Sequence, residues 1–270
     1  MTVTVWNQDS LYLPPEYVRQ FTVQITDPPY REFVHANATS QSAGRGTRKR
    51  DLGFASLSRL ARRTVAAYAS QVERWSVIYS DVESSTLLRW AAEARGVEYI
   101  RTVPWVRWSM PQLQGDRPPQ GFEHLLCFHP KGKKRWNGPG NLTALEHLSL
   151  RGEEKHKCEK PLDQALDLVS WFSDIGDHVL DPFAGHATIG LACRLLGRHY
   201  VGFEKDPVWS AKAQARLTGD ITPRDIDRIN RWLAKDSEPE SEQTERAKIR
   251  AMRRAFDKDN VRTGFFLAVA

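Results

Sequence analysis

The sequence predicts an α/β fold built on a doubly wound, mostly parallel sheet, and three observations carry that reading. The alternating run Phe21 to Thr26 reads as a strand, stopped by Asp27-Pro28-Pro29-Tyr30. Further on, the strand-like Val77 to Tyr79, a helical pattern from Ser85 to Arg95 and the strand-like Val97 to Val103 succeed one another. Near residue 180 a strand meets a turn of small residues and then a helix, followed by the strand Tyr200 to Phe203 that ends in Glu204.

At 270 residues the chain has room for one large domain with modest appendages. Its 39 Lys and Arg against 33 Asp and Glu give a formal charge of +6, which favours a polyanionic partner. No apolar run approaches the roughly 20 residues that span a bilayer, and the first residues lack a signal pattern, so no membrane partner is expected and the setting is cytoplasmic. Cys127, Cys158 and Cys193 stand apart, without the spacing of a disulfide framework or a zinc site, so no metal is expected.

Taken in order, Val3 and Val5 form a short strand before the turn Asn7-Gln8-Asp9. Asp27-Pro28-Pro29-Tyr30 then falls at the carboxyl edge of its strand, where open α/β sheets bind ligands. It offers a carboxylate, a carbonyl on a rigid pair without N–H groups, and an aromatic face, which together suit a flat heterocycle bearing an amino group. From Asn37 to Arg50 apolar periodicity disappears, and Arg45, Arg48, Lys49 and Arg50 lie in a Gly- and Ser-rich stretch expected to be a mobile loop beside the site. A helix is expected from Ser56 to Trp75, with Leu57, Leu60, Ala61, Val65, Tyr68 and Val72 on its buried face.

The stretch Trp108 to Pro118, with Glu123, has the residue types of an apolar and aromatic pocket, and equally those of an irregular core loop. Residues 131–159 are polar and basic and include Lys133, Lys134, Arg135, Trp136 and Asn137. Lys160-Pro161 opens a helix with an apolar stripe of Leu162, Ala165, Leu166, Val169 and Phe172. The turn Asp181-Pro182-Phe183-Ala184-Gly185-His186-Ala187-Thr188 lets the backbone approach a ligand, and the helix after it presents unpaired N–H groups to a carboxylate. Thr222-Pro223 starts another helix running to about Ala234, and an acidic linker and a basic helix complete the tail.

Together these motifs resemble the amino-methylating DNA methyltransferases that modify exocyclic amines of adenine or cytosine. The resemblance runs in broad order from Val3 to Leu217. It implies the sheet of S-adenosylmethionine-dependent methyltransferases with a circularly permuted motif order, S-adenosylmethionine as cofactor, and double-stranded DNA as partner in a restriction-modification setting. Asp27, Pro28, Pro29 and Tyr30 match the catalytic motif. Asp181, Phe183, Gly185 and Thr188 match the cofactor signature, Lys160-Pro161 the motif upstream of it, Glu204 the ribose-binding acid, and Asp9 either the adenine-contacting acid or a turn residue.

One departure stands out. The family's Gly-Ser-Gly is here Gly185-His186-Ala187, which adds a β-carbon where the backbone meets the methionine end. The catalytic motif precedes the cofactor motif, the β arrangement of the DNA enzymes, and this order argues against protein-glutamine and RNA guanine methyltransferases.

On that reading residues 1–130 form the catalytic half, 131–159 a short target-recognition insert, 160–220 the cofactor half and 221–270 a helical extension. Lys133 to Asn137 and the Arg45 to Arg50 stretch are expected to touch DNA, and so small an insert favours a homodimer. Asp before Pro-Pro-Tyr points to adenine N6, with cytosine N4 and an inactive DNA-binding regulator as the alternatives.

Overall fold

The computed structural model describes residues 1–32, 39–41, 47–49, 55–106, 121–140, 142–147 and 159–234. Ten strands occur among them: β1 (Val3–Asn7), β2 (Val23–Thr26), β3 (Thr39–Gln41), β4 (Thr47–Lys49), β5 (Ser76–Ser80), β6 (Glu98–Val106), β7 (Phe122–His129), β8 (Leu145–Glu146), β9 (His178–Asp181) and β10 (His199–Glu204). Seven helices accompany them: α1 (Pro15–Val18), α2 (Arg59–Ala69), α3 (Val82–Glu93), α4 (Leu162–Phe172), α5 (Thr188–Leu196), α6 (Pro207–Thr218) and α7 (Pro223–Ala234).

Eight strands form one sheet in the order β1-β10-β9-β2-β5-β7-β6-β8. Its pairs are parallel except the two that β7 makes with β5 and β6. The helix between β5 and β6 leaves those two strands parallel with a gap between them, and the chain returns from β6 to fill it antiparallel. This is the doubly wound, mostly parallel sheet the sequence predicts, with its first strand on the far edge beside its last.

Both faces of the sheet are covered, and the period of two along each strand decides what each face meets. Val23, Ile25, Val77, Tyr79, Leu125 and Val179 turn to one side, where α4 and α5 complete the larger core. Ile78, Leu126 and Phe128 turn to the other and meet Val65, Ala66 and Ala69 of α2 and Leu88 and Ala92 of α3.

Several elements differ from the sequence expectation for identifiable reasons. Helix α2 begins only after Ser58, whose hydroxyl accepts from Ala61 N at 3.0 Å, and ends at Ser70. The apolar spacing continues through Val72 and Trp75 because both are buried, yet by Glu73 the backbone already bonds to Phe21 on its way into β5. Leu60 is 49% exposed, not on the buried face. Helix α3 starts earlier than expected because Asp81 caps it, accepting from Ser84 N at 2.8 Å.

Helix α4 carries more than an apolar stripe, since every one of its residues is buried. Its polar groups find partners inside the protein, apart from the Gln164 amide nitrogen: Asp163 meets Arg228, Gln164 Oε1 accepts from the Tyr79 hydroxyl, and Asp167 accepts from Trp232 and pairs with His147. Helix α7 starts and stops where the sequence places it and lies against α4 through Arg228 and Trp232. Part of the stretch expected to be a mobile loop is a two-stranded antiparallel ladder, β3 with β4, which pairs Ser40 with Arg48 and Thr39 with Lys49.

The parallel strands give the molecule two poles. At the carboxyl pole end β1, β2, β5, β9 and β10; at the amino pole they begin.

Candidate active site at the carboxyl pole

Two neighbouring strand ends build the centre. Strand β2 delivers Thr26 and Asp27, and β9 delivers Asp181. Asp181 is buried and joins the two: Oδ1 accepts from Thr26 Oγ1 at 2.8 Å and from Phe183 N at 3.2 Å, and Oδ2 accepts from the Tyr200 hydroxyl at 3.2 Å. Burial pushes its carboxyl up to about 7 despite these hydrogen bonds. The sequence reading gives Asp181 to the cofactor; in the structure its carboxylate ties β9 to β2 and β10.

Beyond it, Asp27 sits in a chain of charge and aromatic rings. Lys160 Nζ lies 2.9 Å from Asp27 Oδ2, 3.0 Å from Glu123 Oε2 and 3.2 Å from the Tyr30 hydroxyl. The Tyr30 hydroxyl in turn donates to Glu123 Oε2. The Lys160 ammonium also lies 5.1 Å from the Tyr30 ring, 4.9 Å from that of Tyr79 and 5.7 Å from that of Trp105, within cation–π range of all three.

Although the Asp27 side chain keeps 24% of its surface exposed, its Oδ1 is buried and accepts no hydrogen bond among the described residues. Desolvation raises the Asp27 carboxyl above the ordinary carboxylate range; Lys160 opposes the rise and Glu123 adds to it. On the far side of Tyr30, Asp81 receives the Arg31 backbone N–H at 3.3 Å, and Glu83 pairs with the Arg31 guanidinium at 2.8 Å. The turn after β2 is thereby fixed at both ends.

The cofactor turn lies beside this centre. Gly185 has φ 51° and Ala187 φ 54°, the latter the only non-glycine among the described residues in the left-handed region. A β-carbon there costs roughly 1 kcal/mol. Here the methyl group is fully buried in the larger core, which offsets about 0.8 kcal/mol of it. Ala187 therefore fits the place of the family's glycine at little net cost.

Glu204 reaches across to the turn, accepting from Gly185 N at 3.1 Å and from Asp206 N at 2.8 Å, and burial raises its carboxyl. Strand register sets Asn7 of β1 opposite Glu204, so Asp9 ends up at the same edge. Asp9 Oδ1 is occupied as a cap, accepting from Leu11 N at 3.0 Å. Phe183 is partly buried and packs on the Ile78 and Leu88 side of the sheet.

His186 faces away from the open edge. Its Nδ1 lies 3.0 Å from Arg216 Nη1 and 3.4 Å from Glu159 Oε2, so that one tautomer accepts from Arg216 and the other donates to Glu159. Arg216 is the hub of this cluster, 2.8 Å from Glu159 Oε1, 3.1 Å from Thr188 Oγ1 and 3.1 Å from Asp225 Oδ1. Burial acts to raise Glu159, but the His186 hydrogen bond and the Arg216 charge outweigh it and hold the carboxyl at about 2.

Consecutive residues Glu159 and Lys160 thus serve different clusters, one at the cofactor turn and one at Asp27. Pro161 caps α4, its carbonyl accepting from Ala165 N at 3.1 Å. Lys160, expected at the cofactor, is in contact with Asp27 and Tyr30.

The basic segment after β7 lies elsewhere. Arg135 pairs with Asp174 at 2.9 Å, and its carbonyl accepts from the Trp75 indole at 2.6 Å. Trp136 packs edge-on against Trp75 and Phe172, and the Asn137 side chain donates to Ser173 O at 3.1 Å and to Asp174 Oδ1 at 2.9 Å. Lys134 pairs with Glu98 at 2.8 Å, and Lys133 is exposed nearby. These partners precede β5, β6 and β9, so the segment fastens the amino pole, opposite Asp27. The sequence expectation gives Lys133 to Asn137 to DNA; the structure places them at the amino pole, and the insert returns to the carboxyl pole at β8, which pairs with the end of β6. Arg48 and Lys49 fall on β4, while Arg45, Arg50 and the expected pocket stretch 108–118 lie outside the described residues.

Sequence reasoning missed Glu159, Arg216 and Tyr200 altogether. Arg216 is a basic residue in the last turn of its helix, but nothing local names its partners.

Comparison with known proteins places the chain in a family. A family model described as DNA methylase, of the N6/N4 type, matches residues 23–214. Among curated proteins, the type II methyltransferase M.XycI of Xanthomonas campestris pv. cyanopsidis is 28% identical over 123 residues, 41% of this chain and 41% of that protein. The type II methyltransferase M.HinfI of Haemophilus influenzae is 29% identical over 148 residues, 51% of this chain and 41% of that protein. The chain therefore spans about two fifths of the length of these relatives. The solved structure of an M1.HpyAVI–SAM complex superposes with a TM-score of 0.61 at 25% identity, over 81% of this chain and 100% of that one. The cytosine-N4-specific PvuII DNA methyltransferase shares the fold, with a TM-score of 0.59 at 16% identity over 86% of this chain and 94% of that one. With the matching model spanning most of its length and both motifs at one sheet edge, the chain belongs to the N6/N4 DNA methylase family.

Proposed function

We propose that the protein transfers a methyl group from S-adenosylmethionine to the N6 amino group of adenine in duplex DNA. The observation that carries this is the buried Asp27 Oδ1, an acceptor with no partner among the described residues, beside the Tyr30 ring and the small-residue turn.

The residues present fit the cofactor. The left-handed turn at Gly185 and Ala187 leads into the N-terminus of α5, whose N–H groups favour a carboxylate, and the Glu204 oxygens keep lone pairs for ribose hydroxyls. When bound, the cofactor would supply an electrophilic methyl on a sulfonium whose sulfur would leave as a neutral thioether, the methylated amine losing its surplus proton to solvent.

The chain's own residues prepare the amine. An aromatic amine is a poor nucleophile because its lone pair is delocalised into the ring. The target base leaves the duplex and stacks on Tyr30, while the Asp27 carboxylate and the Pro28 carbonyl accept its two amino hydrogens. Those bonds favour a pyramidal nitrogen with a localised lone pair. Catalysis is then chiefly positioning and electrostatics. The aspartate before Pro-Pro-Tyr supports adenine over cytosine.

The test is to incubate the protein with S-adenosylmethionine and unmethylated mixed-sequence duplex DNA, then analyse the nucleosides by mass. N6-methyladenine is expected; N4-methylcytosine would overturn the choice of base, and neither product would overturn the activity. Asp27→Ala is expected to reduce turnover at least a thousandfold, about 4 kcal/mol of transition-state stabilisation, with cofactor affinity kept in calorimetry.

A further inference from the structure

The Lys160 ammonium bridges Asp27, Glu123 and Tyr30. Its place explains which Asp27 oxygen is available. Oδ2 is taken by Lys160 at 2.9 Å, which leaves Oδ1 as the oxygen without a hydrogen-bond partner among the described residues. Glu123 does the equivalent for the aromatic wall, since it accepts from the Tyr30 hydroxyl and so fixes the ring plane.

We propose that Lys160 and Glu123 are positioning residues for the target amine, Lys160 acting through Asp27 and Glu123 through Tyr30. The proposal rests on the reading of the preceding subsection, in which Asp27 receives the amine.

The charges make the pair testable, because they act on Asp27 with opposite sign. The titratable groups that face Asp27 are Lys160 before α4, Glu123 on β7, Tyr79 on β5, Asp181 on β9 and Tyr30 on its own turn. Lys160 favours the ionised Asp27 and Glu123 disfavours it. Only the ionised carboxylate accepts both as an anion and without a competing proton, so the acid limb of the methyl-transfer rate follows Asp27.

The experiment is the single-turnover rate against pH for the wild type, Lys160→Met, Lys160→Arg and Glu123→Gln, with S-adenosylmethionine affinity measured by calorimetry for each. Lys160→Met is expected to slow transfer about a hundredfold and move the acid limb up by about one pH unit, with cofactor affinity unchanged. Lys160→Arg keeps the charge and is expected to leave the acid limb in place. Glu123→Gln keeps the shape and is expected to move the limb down by about a unit. Limbs that stay put or move together in Lys160→Met and Glu123→Gln would overturn the proposal, as would a tenfold loss of cofactor affinity in Lys160→Met. If Lys160→Met does not fold, Glu123→Gln and Lys160→Arg still decide it. A wild type that methylates nothing points instead to failure of the proposed activity, so the two failures are distinguishable.

Discussion

At the scale of single residues, Asp181 is the carboxylate whose environment most clearly sets the pH behaviour of the fold. It is buried between β2, β9 and β10, accepts three hydrogen bonds, and has its carboxyl pushed up to about 7. An acid whose folded pKa lies above its unfolded value stabilises the fold fully below the unfolded value and loses that contribution as pH rises through the folded one. For Asp181 the window runs from about pH 4 to about pH 7, and the shift corresponds to stability on the order of 4 kcal/mol. Glu159 works in the reverse sense. Held at about 2 by His186 and Arg216, it contributes stability above the ordinary glutamate value that is lost as pH falls toward 2. Because such opposing groups overlap in the whole protein, the readout is a difference. Asp181→Asn keeps two acceptor bonds on its amide oxygen and offers its amide N–H to the Tyr200 hydroxyl. Urea midpoints from pH 4 to pH 8 are expected to show wild type falling relative to Asp181→Asn as pH rises. Parallel curves would show that Asp181 titrates like an ordinary carboxylate.

At the scale of elements, Arg216 of α6 is what joins the cofactor turn to the helix that follows. It meets Glu159 before α4, His186 and Thr188 in the turn, and Asp225 in the first turn of α7. Removing it leaves two buried carboxylates facing one another without their cation, which in comparable buried pairs costs about 3–5 kcal/mol. Arg216→Ala is therefore expected to lower unfolding stability by that amount and to weaken cofactor binding through the displaced turn, seen together in chemical unfolding and calorimetry. Unchanged stability would mean that the cluster is solvated. This hub also marks where sequence ceases to be legible. Asp27 to Tyr30 and Asp181 to Thr188 are readable because each is a local device, a strand stopped by prolines or a turn of small residues before a helix. Glu159 and Lys160 are adjacent in the chain, and their separate allegiances follow only from which strand ends the sheet brings beside them. Likewise Trp136 and Asn137 read as surface recognition residues because their partners, Trp75, Phe172 and Asp174, are far away in sequence.

At the scale of the whole molecule, the described basic residues expected to touch DNA do not share one place. A net charge of +6 attracts DNA from any direction, but only cations that neutralise phosphates in the productive complex release counterions there. Lys133, Lys134 and Arg135 belong to the amino pole, and Lys134 and Arg135 already have carboxylate partners in Glu98 and Asp174. Arg48 and Lys49 belong to the β3–β4 ladder, which interrupts the chain between Tyr30 of the catalytic turn and α2. On the proposed reading, in which the target base is held at Asp27, the duplex would rest across the carboxyl pole, away from residues that precede β5 and β9. Lys133→Ala is thus expected to leave DNA affinity and its salt dependence within error of wild type. Arg48→Ala and Lys49→Ala are each expected to weaken binding at low salt and to reduce the slope of log affinity against log salt by about one. Fluorescence anisotropy on a labelled duplex at four salt concentrations reads both quantities at once. An unchanged slope in the two ladder variants together with a reduced one in Lys133→Ala would place the DNA at the amino pole, away from the carboxylate that is to receive the amine, and the carboxyl-pole assignment of the active site would fall with it.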